Sequence, residues 1–256
     1  MKIKLLGAHN TESLETRMSG LLIDGALALD AGGLTSSLTL LAQHALKAVL
    51  LTHQHYDHIR DIPALAMSLF LAGKTIPVYA TEPVIDILTN RLFDGDIYPK
   101  YLEHPAEKPT VVLRLLEPLK SLRIEGYTVL PVPVPHSKPT VGFQITPDDG
   151  KTFFYTGDTG PGLNDSWQHI SPELLITEVT ASNRFDSFGK DAGHMTPNLL
   201  KEELVIFRET KGYLPPVVIV HMSPGLEEEI TPELAELAAE LNTPITPGRE
   251  GMELSL

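Results

Sequence analysis

Four side chains able to hold a metal ion fall within six residues: His53, His55, Asp57 and His58, in the stretch Thr52–Asp61, THQHYDHIRD. In extended backbone, residues i and i+2 point the same way, so His53 and His55 can grip one ion. A turn after them swings Asp57 and His58 to another position, close enough to serve a second ion. The chain has no cysteine, so any metal must be held by histidine and carboxylate. A two-ion hydrolytic site needs three or more protein ligands per ion and an open position for water or substrate. Three further candidates share one local context, the C-terminal end of an apolar run. His136 follows Val132-Pro133-Val134-Pro135, Asp158 follows Phe153-Phe154-Tyr155-Thr156-Gly157, and His221 follows Val217-Val218-Ile219-Val220. Strand ends on one side of a sheet are where a fold gathers groups from distant sequence.

The elements that must position these groups alternate along the chain. Ala48–Leu51 reads as a buried strand feeding THQHYDH. Asp61-Ile62-Pro63 reads as a helix start, with Asp61 at the cap and Pro63 in the first turn. The ligands are thus expected on a strand-to-helix loop. Upstream, Lys2–Leu6, Gly20–Ile23 and Ala26–Leu29 read as strands, the last two joined by Asp24-Gly25, a hairpin signal. Helices are expected over Leu38–Lys47, over Ile62–Ala72 with Gly73 closing it, and over Glu82–Arg91. Ile76–Tyr79 is a strand. Phe93–Glu117 is read as a loop that covers the cleft or meets a second copy, with Val111–Leu116 as a strand. Tyr127–Pro135, YTVLPVPVP, is expected at an edge or strongly bent, since proline cannot donate to a ladder. Val141–Ile145 and Lys151–Tyr155 flank a turn at Pro147-Asp148-Asp149-Gly150. Leu174–Thr177 and Val217–Val220 are strands, Pro197–Arg208 and Pro232–Leu241 helices, and Gly251–Leu256 a closing strand. Strand-rich segments precede helices in each half, which suggests two packed sheets with helices outside and one core over residues 1–256.

Twenty basic against 33 acidic residues give a formal net charge of −13. That argues against broad nucleic-acid binding, which needs a cationic surface. It does not exclude a small phosphorylated substrate held by ions that bring their own charge. No apolar stretch approaches a membrane span. The start, Met1-Lys2-Ile3-Lys4-Leu5-Leu6, lacks a signal-peptide core, so a cytoplasmic location is expected.

The pattern resembles the metallo-β-lactamase superfamily. THQHYDH matches its signature, and His136, the Asp158 of Thr156-Gly157-Asp158-Thr159, and His221 match its later motifs in order. The resemblance covers nearly the whole chain. It implies an α/β fold, the four-layer αβ/βα sandwich, with a dinuclear site on one edge of the two sheets. By that resemblance His53, His55 and His136 bind the first ion. Asp57, His58 and His221 bind the second, and Asp158 bridges. Asp57 is also counted with the catalytic groups. The expected cofactors are two divalent ions, zinc first, with manganese or iron as alternatives. They would activate a shared water and neutralise charge on the attacked group.

Leu174–Pro197, LLITEVTASNRFDSFGKDAGHMTP, bears on the reaction. It resembles ribonuclease Z and the class II cyclic-nucleotide phosphodiesterases, in which an acidic residue and a later Gly-His motif flank a loop. Glu178 and His194 occupy those positions. Ribonuclease Z usually has a histidine just before that acid; this chain has Thr177. Gly193-His194-Met195-Thr196-Pro197, His221-Met222-Ser223-Pro224 and His136–Phe143 look closer to the cyclic-nucleotide enzymes. Breaking a phosphodiester needs a proton for the leaving alkoxide, which His194 can supply while Glu178 orients it. The expected function is hydrolysis of a cyclic nucleotide or similar small phosphodiester. The rivals are a tRNA 3′-end endonuclease, a lactonase or thioesterase, and a metal-binding protein without turnover. A homodimer is a further expectation. Asp30 is read as orienting a ligand histidine from behind. His9 lies on a loop near the cleft. His44, His104 and His169 are expected to be exposed, and Trp167 and Tyr155 to serve packing. Lys138 and Arg184 are the cations nearest the site.

Overall fold

Continuous apolar runs such as Ala48–Leu51 and Val217–Val220 are what a strand covered on both faces requires, and the structure, a computed structural model describing residues 1–148 and 150–256, places them so. Asp149, in the expected turn after Pro147, lies outside the described residues. The first sheet collects β1 (Lys2–Gly7), β2 (Gly20–Ile23), β3 (Leu27–Leu29), β4 (Ala48–Leu50), β5 (Ile76–Ala80) and β6 (Val111–Leu115). The second collects β7 (Leu122–Ile124), β8 (Tyr127–Val134), β9 (Thr140–Pro147), β10 (Phe153–Tyr155), β11 (Leu174–Glu178), β12 (Val217–Val220) and β13 (Ile245–Pro247). A last strand, β14 (Glu253–Ser255), returns to pair antiparallel with β1. The orders are β14-β1-β2-β3-β4-β5-β6 and β13-β12-β11-β10-β9-β8-β7. In each sheet an antiparallel meander gives way to parallel strands, from β3 onward in one and from β10 onward in the other.

Side-chain alternation builds the four layers. Leu27, Leu29, Ala48 and Leu50 point inward to meet Phe143, Phe153, Tyr155, Ile176 and Val220. Ala28 and Val49 point outward onto the helix Ile62–Leu71. On the other side Phe154, Leu175 and Ile219 pack with Leu200 and Leu204 of the helix Pro197–Lys211 and Leu234 and Leu237 of the helix Glu227–Leu241. The αβ/βα sandwich is therefore the observed fold. No helix among the described residues is long and apolar enough to cross a membrane.

Several expectations need revision. Tyr56–Ile59 forms a short helix, so Asp57 and His58 sit on a helical turn and not in a loop. Asp61 occupies the cap position of Ile62–Leu71 without capping it; its carboxylate instead accepts from Thr35 N at 2.7 Å and Arg60 Nε at 2.8 Å. β8 is an inner strand only over Tyr127–Val129 and, as expected, an edge from Leu130 onward, where its prolines lie. It pairs along its whole length with β9, and β7 covers only Tyr127–Val129 on the other side. The carbonyls of Pro131 and Pro133 accept from Leu119 N and Ser166 Oγ, away from β9. The prolines are tolerated because their missing donors face the side that β7 leaves unpaired. The 93–117 segment shares a cavity with His136 only at its end, Leu115–Glu117. Its Phe93 and Tyr101 are buried against the helix Ile62–Leu71, on the outer face of the first sheet. Helix Leu40–Ala45 is shorter than expected and capped by Thr39. Helix Glu227–Leu241 begins five residues before Pro232, with Glu227, Glu228 and Glu229 in the first turn where the dipole favours acids.

Candidate metal centre

β8, β10, β11 and β12 run in the same direction, and His136, Asp158, Glu178 and His221 stand at or just past their C-terminal ends. β4 delivers Thr52–His58 from the facing sheet. Close approach needs small residues at two points. A Cβ at Gly32 would lie 1.9 Å from the Asp57 carbonyl, so only glycine lets the Asp30–Gly33 turn press on the Tyr56–Ile59 helix. Gly157, at φ +62°, turns the chain under Thr52 so that Asp158 faces the cleft.

Three overlapping groups of candidate ligand atoms result. The two that take the expected ligands are His53, His55, His136 and Asp158, and Asp57, His58, Asp158 and His221; a third is Asp158, Glu178, His194 and His221. Asp158 belongs to all three, and its two oxygens face different partners. Oδ2 lies 3.6 Å from His53 Nε2 and 3.9 Å from His136 Nε2. Oδ1 lies 3.0 Å from His58 Nε2 and 3.3 Å from His221 Nε2. Asp57 Oδ2 is 3.1 Å from His221 Nε2 and 3.6 Å from His58 Nε2. His55 Nδ1 is 3.2 Å from His136 Nε2.

These residues fit divalent ions. Ligands about 2.0–2.1 Å from one ion at tetrahedral angles stand ~3.3 Å apart, which is the range of these separations. His53 Nε2, His58 Nε2 and Asp158 Oδ1 are buried without a hydrogen-bond partner, and all three converge on the same space. The opposite ring nitrogens are tied down. His58 Nδ1 donates to Asp30 Oδ2 at 2.8 Å and His136 Nδ1 to the Gly193 carbonyl at 2.8 Å. The Thr52 hydroxyl donates to Asp30, so it accepts from His53 Nδ1 at 3.0 Å. Each ring therefore turns its Nε2 inward. Burial, reinforced by His58, pushes His53 well below the usual histidine range, which keeps it neutral. Burial alone would raise Asp158, but His221 and His58 hold it well below the carboxylate range, and Asp57 is depressed against its own burial by its bond to His221.

Asp30 is the hub behind this arrangement. Wholly buried, at φ +57°, it accepts from Thr52 N, the Thr52 hydroxyl, His58 Nδ1 and the Tyr155 hydroxyl. Tyr155 thus does more than pack. Asp30→Ala should cost about 3–5 kcal/mol, because it strands buried donors with no acceptor. Urea unfolding should show a lower midpoint at unchanged slope; a midpoint within error of the parent would remove Asp30 from this role.

Glu178 and His194 stand beside the second group. Glu178 is fully buried, and its Oε1 takes the His194 Nδ1 proton at 2.7 Å. The His194 ring stacks on His221 with centroids 5.4 Å apart. Burial lowers the His194 pKa, but the charge and hydrogen bond of Glu178 outweigh it and push it up to about 9. The stabilisation from this pair is complete below the unfolded value near ~6.5 and is lost as pH rises through the folded value. In metal-free protein, His194 should stay protonated at pH 7 and lose its proton near 9 in an NMR titration; release near 6.5 would mean that Glu178 does not hold it. His194 does not cap the following helix, since Thr196 does so by accepting from Leu199 N. A cavity of about 430 Å³ joins His55, Tyr56, Asp57, Asp158, His194 and His221 and is closed on one side by Asn10 and Thr11.

Other sequence candidates fall elsewhere. His9 is buried against Glu250 at 2.7 Å, outside both ligand groups. His104 and His169 are exposed, but His44 is half-buried and bonded to Ser68 Oγ at 3.0 Å. Arg184 is engaged by Glu229 through two 2.8 Å bonds, and Lys138 is exposed. Neither lines the 430 Å³ cavity. Thr52, Thr180 and the Gly193 carbonyl orient ligands and were not singled out from the sequence. Thr180 carried one signal, its position two residues after Glu178 where a strand ends.

Known proteins share this architecture. A family model described as a β-lactamase superfamily domain matches residues 21–222. A ribonuclease of Thermus thermophilus is 33% identical over 147 residues, which span 54% of this chain and 32% of that protein. A metal-dependent hydrolase of Myxococcus xanthus is 31% identical over 139 residues, 53% of this chain and 46% of that protein. The chain thus spans less than half the length of these curated relatives. The crystal structure of yeast PDE1 superposes with a TM-score of 0.81 at 17% identity, covering 100% of this chain and 99% of that one, which is a likeness of fold.

Proposed function

We propose that this chain, which belongs to the metallo-β-lactamase superfamily, is a metal-dependent hydrolase that cleaves a small phosphodiester such as a cyclic nucleotide. The observation that carries this reading is the Glu178–His194 pair, 2.7 Å apart, opening into the same cavity as the ligand cluster. Ions held by His53, His55, His136, Asp57, His58, His221 and Asp158 would supply Lewis-acid stabilisation of the attacked group and lower the pKa of water. Zinc suits the neutral imidazoles, and manganese or iron could take the same donors.

The chain's own residues then do three things. Asp30, Thr52 and Gly193 hold the imidazoles with Nε2 inward. Glu178 fixes His194 through Nδ1, which leaves Nε2 to face the cavity, and holds the ring in its protonated form. His194 delivers that proton to the departing alkoxide oxygen, the poorest leaving group in phosphodiester cleavage and the one most in need of an acid. A lactone or thioester offers this pair no comparable task.

The Thermus ribonuclease match favours a second reading, cleavage of RNA. Against it stand a net charge of −13 and the pairing of Arg184 with Glu229. A substrate panel on metal-analysed protein separates these readings: a chromogenic phosphodiester, cyclic nucleotides, pre-tRNA, a lactone and a thioester. Turnover of the cyclic nucleotides is the expected result. Cleavage of pre-tRNA at low enzyme concentration would reverse the order, and activity only on the lactone or thioester would overturn both.

A further inference from the structure

His221 is the histidine of the second group whose Nδ1 meets neither an acid nor a backbone carbonyl directly. Its Nδ1 meets the Thr180 hydroxyl at 2.8 Å. That hydroxyl also lies 2.6 Å from Glu178 Oε2. A carboxylate can only accept, so Thr180 donates to Glu178 and must accept from His221 Nδ1–H. With Nδ1 committed, it is Nε2 that His221 turns to the ion-facing side, 3.1 Å from Asp57 and 3.3 Å from Asp158.

We propose that Thr180 is a positioning residue that locks His221 in its ion-facing orientation, with Glu178 as a shared anchor for both His221 and His194. One buried carboxylate divides its oxygens between the two tasks. Oε1 takes His194 directly, and Oε2 reaches His221 through the threonine. The backbone of Thr180 reinforces this. Its N–H donates to the Met195 carbonyl at 3.0 Å, and its carbonyl accepts from Ser223 N at 3.1 Å, so it ties the segment after His194 to the segment after His221. His221 also needs outside support because it sits at φ +62°, a conformation that side chains other than glycine rarely adopt. Thr180 is 6% exposed, so water cannot replace its hydroxyl. Valine has the same shape and no hydroxyl. In Thr180→Val the His221 N–H loses its acceptor, and the ring is free to flip.

The proposal rests on His221 being a ligand, and the test separates the two. Zinc affinity is measured by competition with a chromogenic chelator, without substrate. Thr180→Val should weaken zinc binding at the site that includes His221 by ~10–100-fold, the usual loss when a ligand's supporting group is removed. Thr180→Ser, which keeps the hydroxyl, should bind as the parent does. Parent-like affinity in Thr180→Val overturns the proposal, and so does a Thr180→Ser variant as weak as the valine, because the methyl would then matter and not the hydroxyl. If His221→Ala also loses no affinity, the ligand reading itself fails; if it loses affinity while Thr180→Val does not, only the Thr180 role fails. A nitrogen-15 spectrum of the zinc-loaded parent needs no variant. It should show His221 protonated at Nδ1 and bare at Nε2, and the opposite tautomer overturns the proposal.

Discussion

His194→Ala should retain its metal and lose about 10²–10⁴-fold in turnover of a cyclic nucleotide, the usual worth of a placed general acid. The ring stacks on His221 but lies outside the two expected ligand groups, and its Nδ1 is given to Glu178. Metal content should therefore match the parent. The deficit should also depend on the substrate. An alkoxide leaves poorly without a proton, whereas a nitrophenolate is stable as an anion and needs none. The variant should recover most of its activity on a chromogenic aryl ester and little on a cyclic nucleotide. Equal losses on both would mean that His194 binds or orients substrate. Loss of metal would make it a ligand or a structural support.

Asp158→Ala should be more damaging and by a different route. Its carboxylate is the only group shared by the His53–His55–His136 and Asp57–His58–His221 sets. It also faces four histidines, with His58 and His221 closest, at 3.0 and 3.3 Å. Metal analysis should show at least one ion lost. Turnover should fall on the order of 10³-fold or more, because bound ions contribute several kcal/mol to the transition state and each ~1.4 kcal/mol is tenfold in rate. Unlike His194→Ala, this deficit should be the same for good and poor leaving groups. Two ions retained in Asp158→Ala would remove it from the bridging position.

The His53–His58 cluster was legible because its members are sequence neighbours, and their residue types leave few other uses. His136, Asp158 and His221 were legible as polar residues stationed at the ends of apolar runs, which the parallel strands then bring to one edge. What stayed hidden depends on distance across the fold. Thr52 and Thr180 are ordinary strand-end threonines until the structure places Asp30 and Glu178 against them. Tyr155 reads as core, and its hydroxyl acquires a role only because β3 delivers Asp30 opposite it. The proline-rich strand was legible as an edge at its prolines; that β7 covers its first three residues is a property of a neighbour and not of YTVLPVPVP itself. Phe93–Glu117 was misplaced. Its mixed composition marks irregular backbone but does not say which face of the sheet its aromatics will cover.

Each ligand group draws on both sheets: His53 and His55 with His136, and Asp57 and His58 with His221. An ion seated in either is a cross-link between two layers that otherwise adhere through apolar packing. Binding that occurs only in the folded state adds stability by mass action, about 4 kcal/mol when free metal exceeds its dissociation constant a thousandfold. On the proposed reading, starvation for metal would then do more than silence turnover. It would loosen the joint between the two layers, raise the fraction open to proteolysis, and make the amount of protein, as well as its rate, follow the supply of the ion.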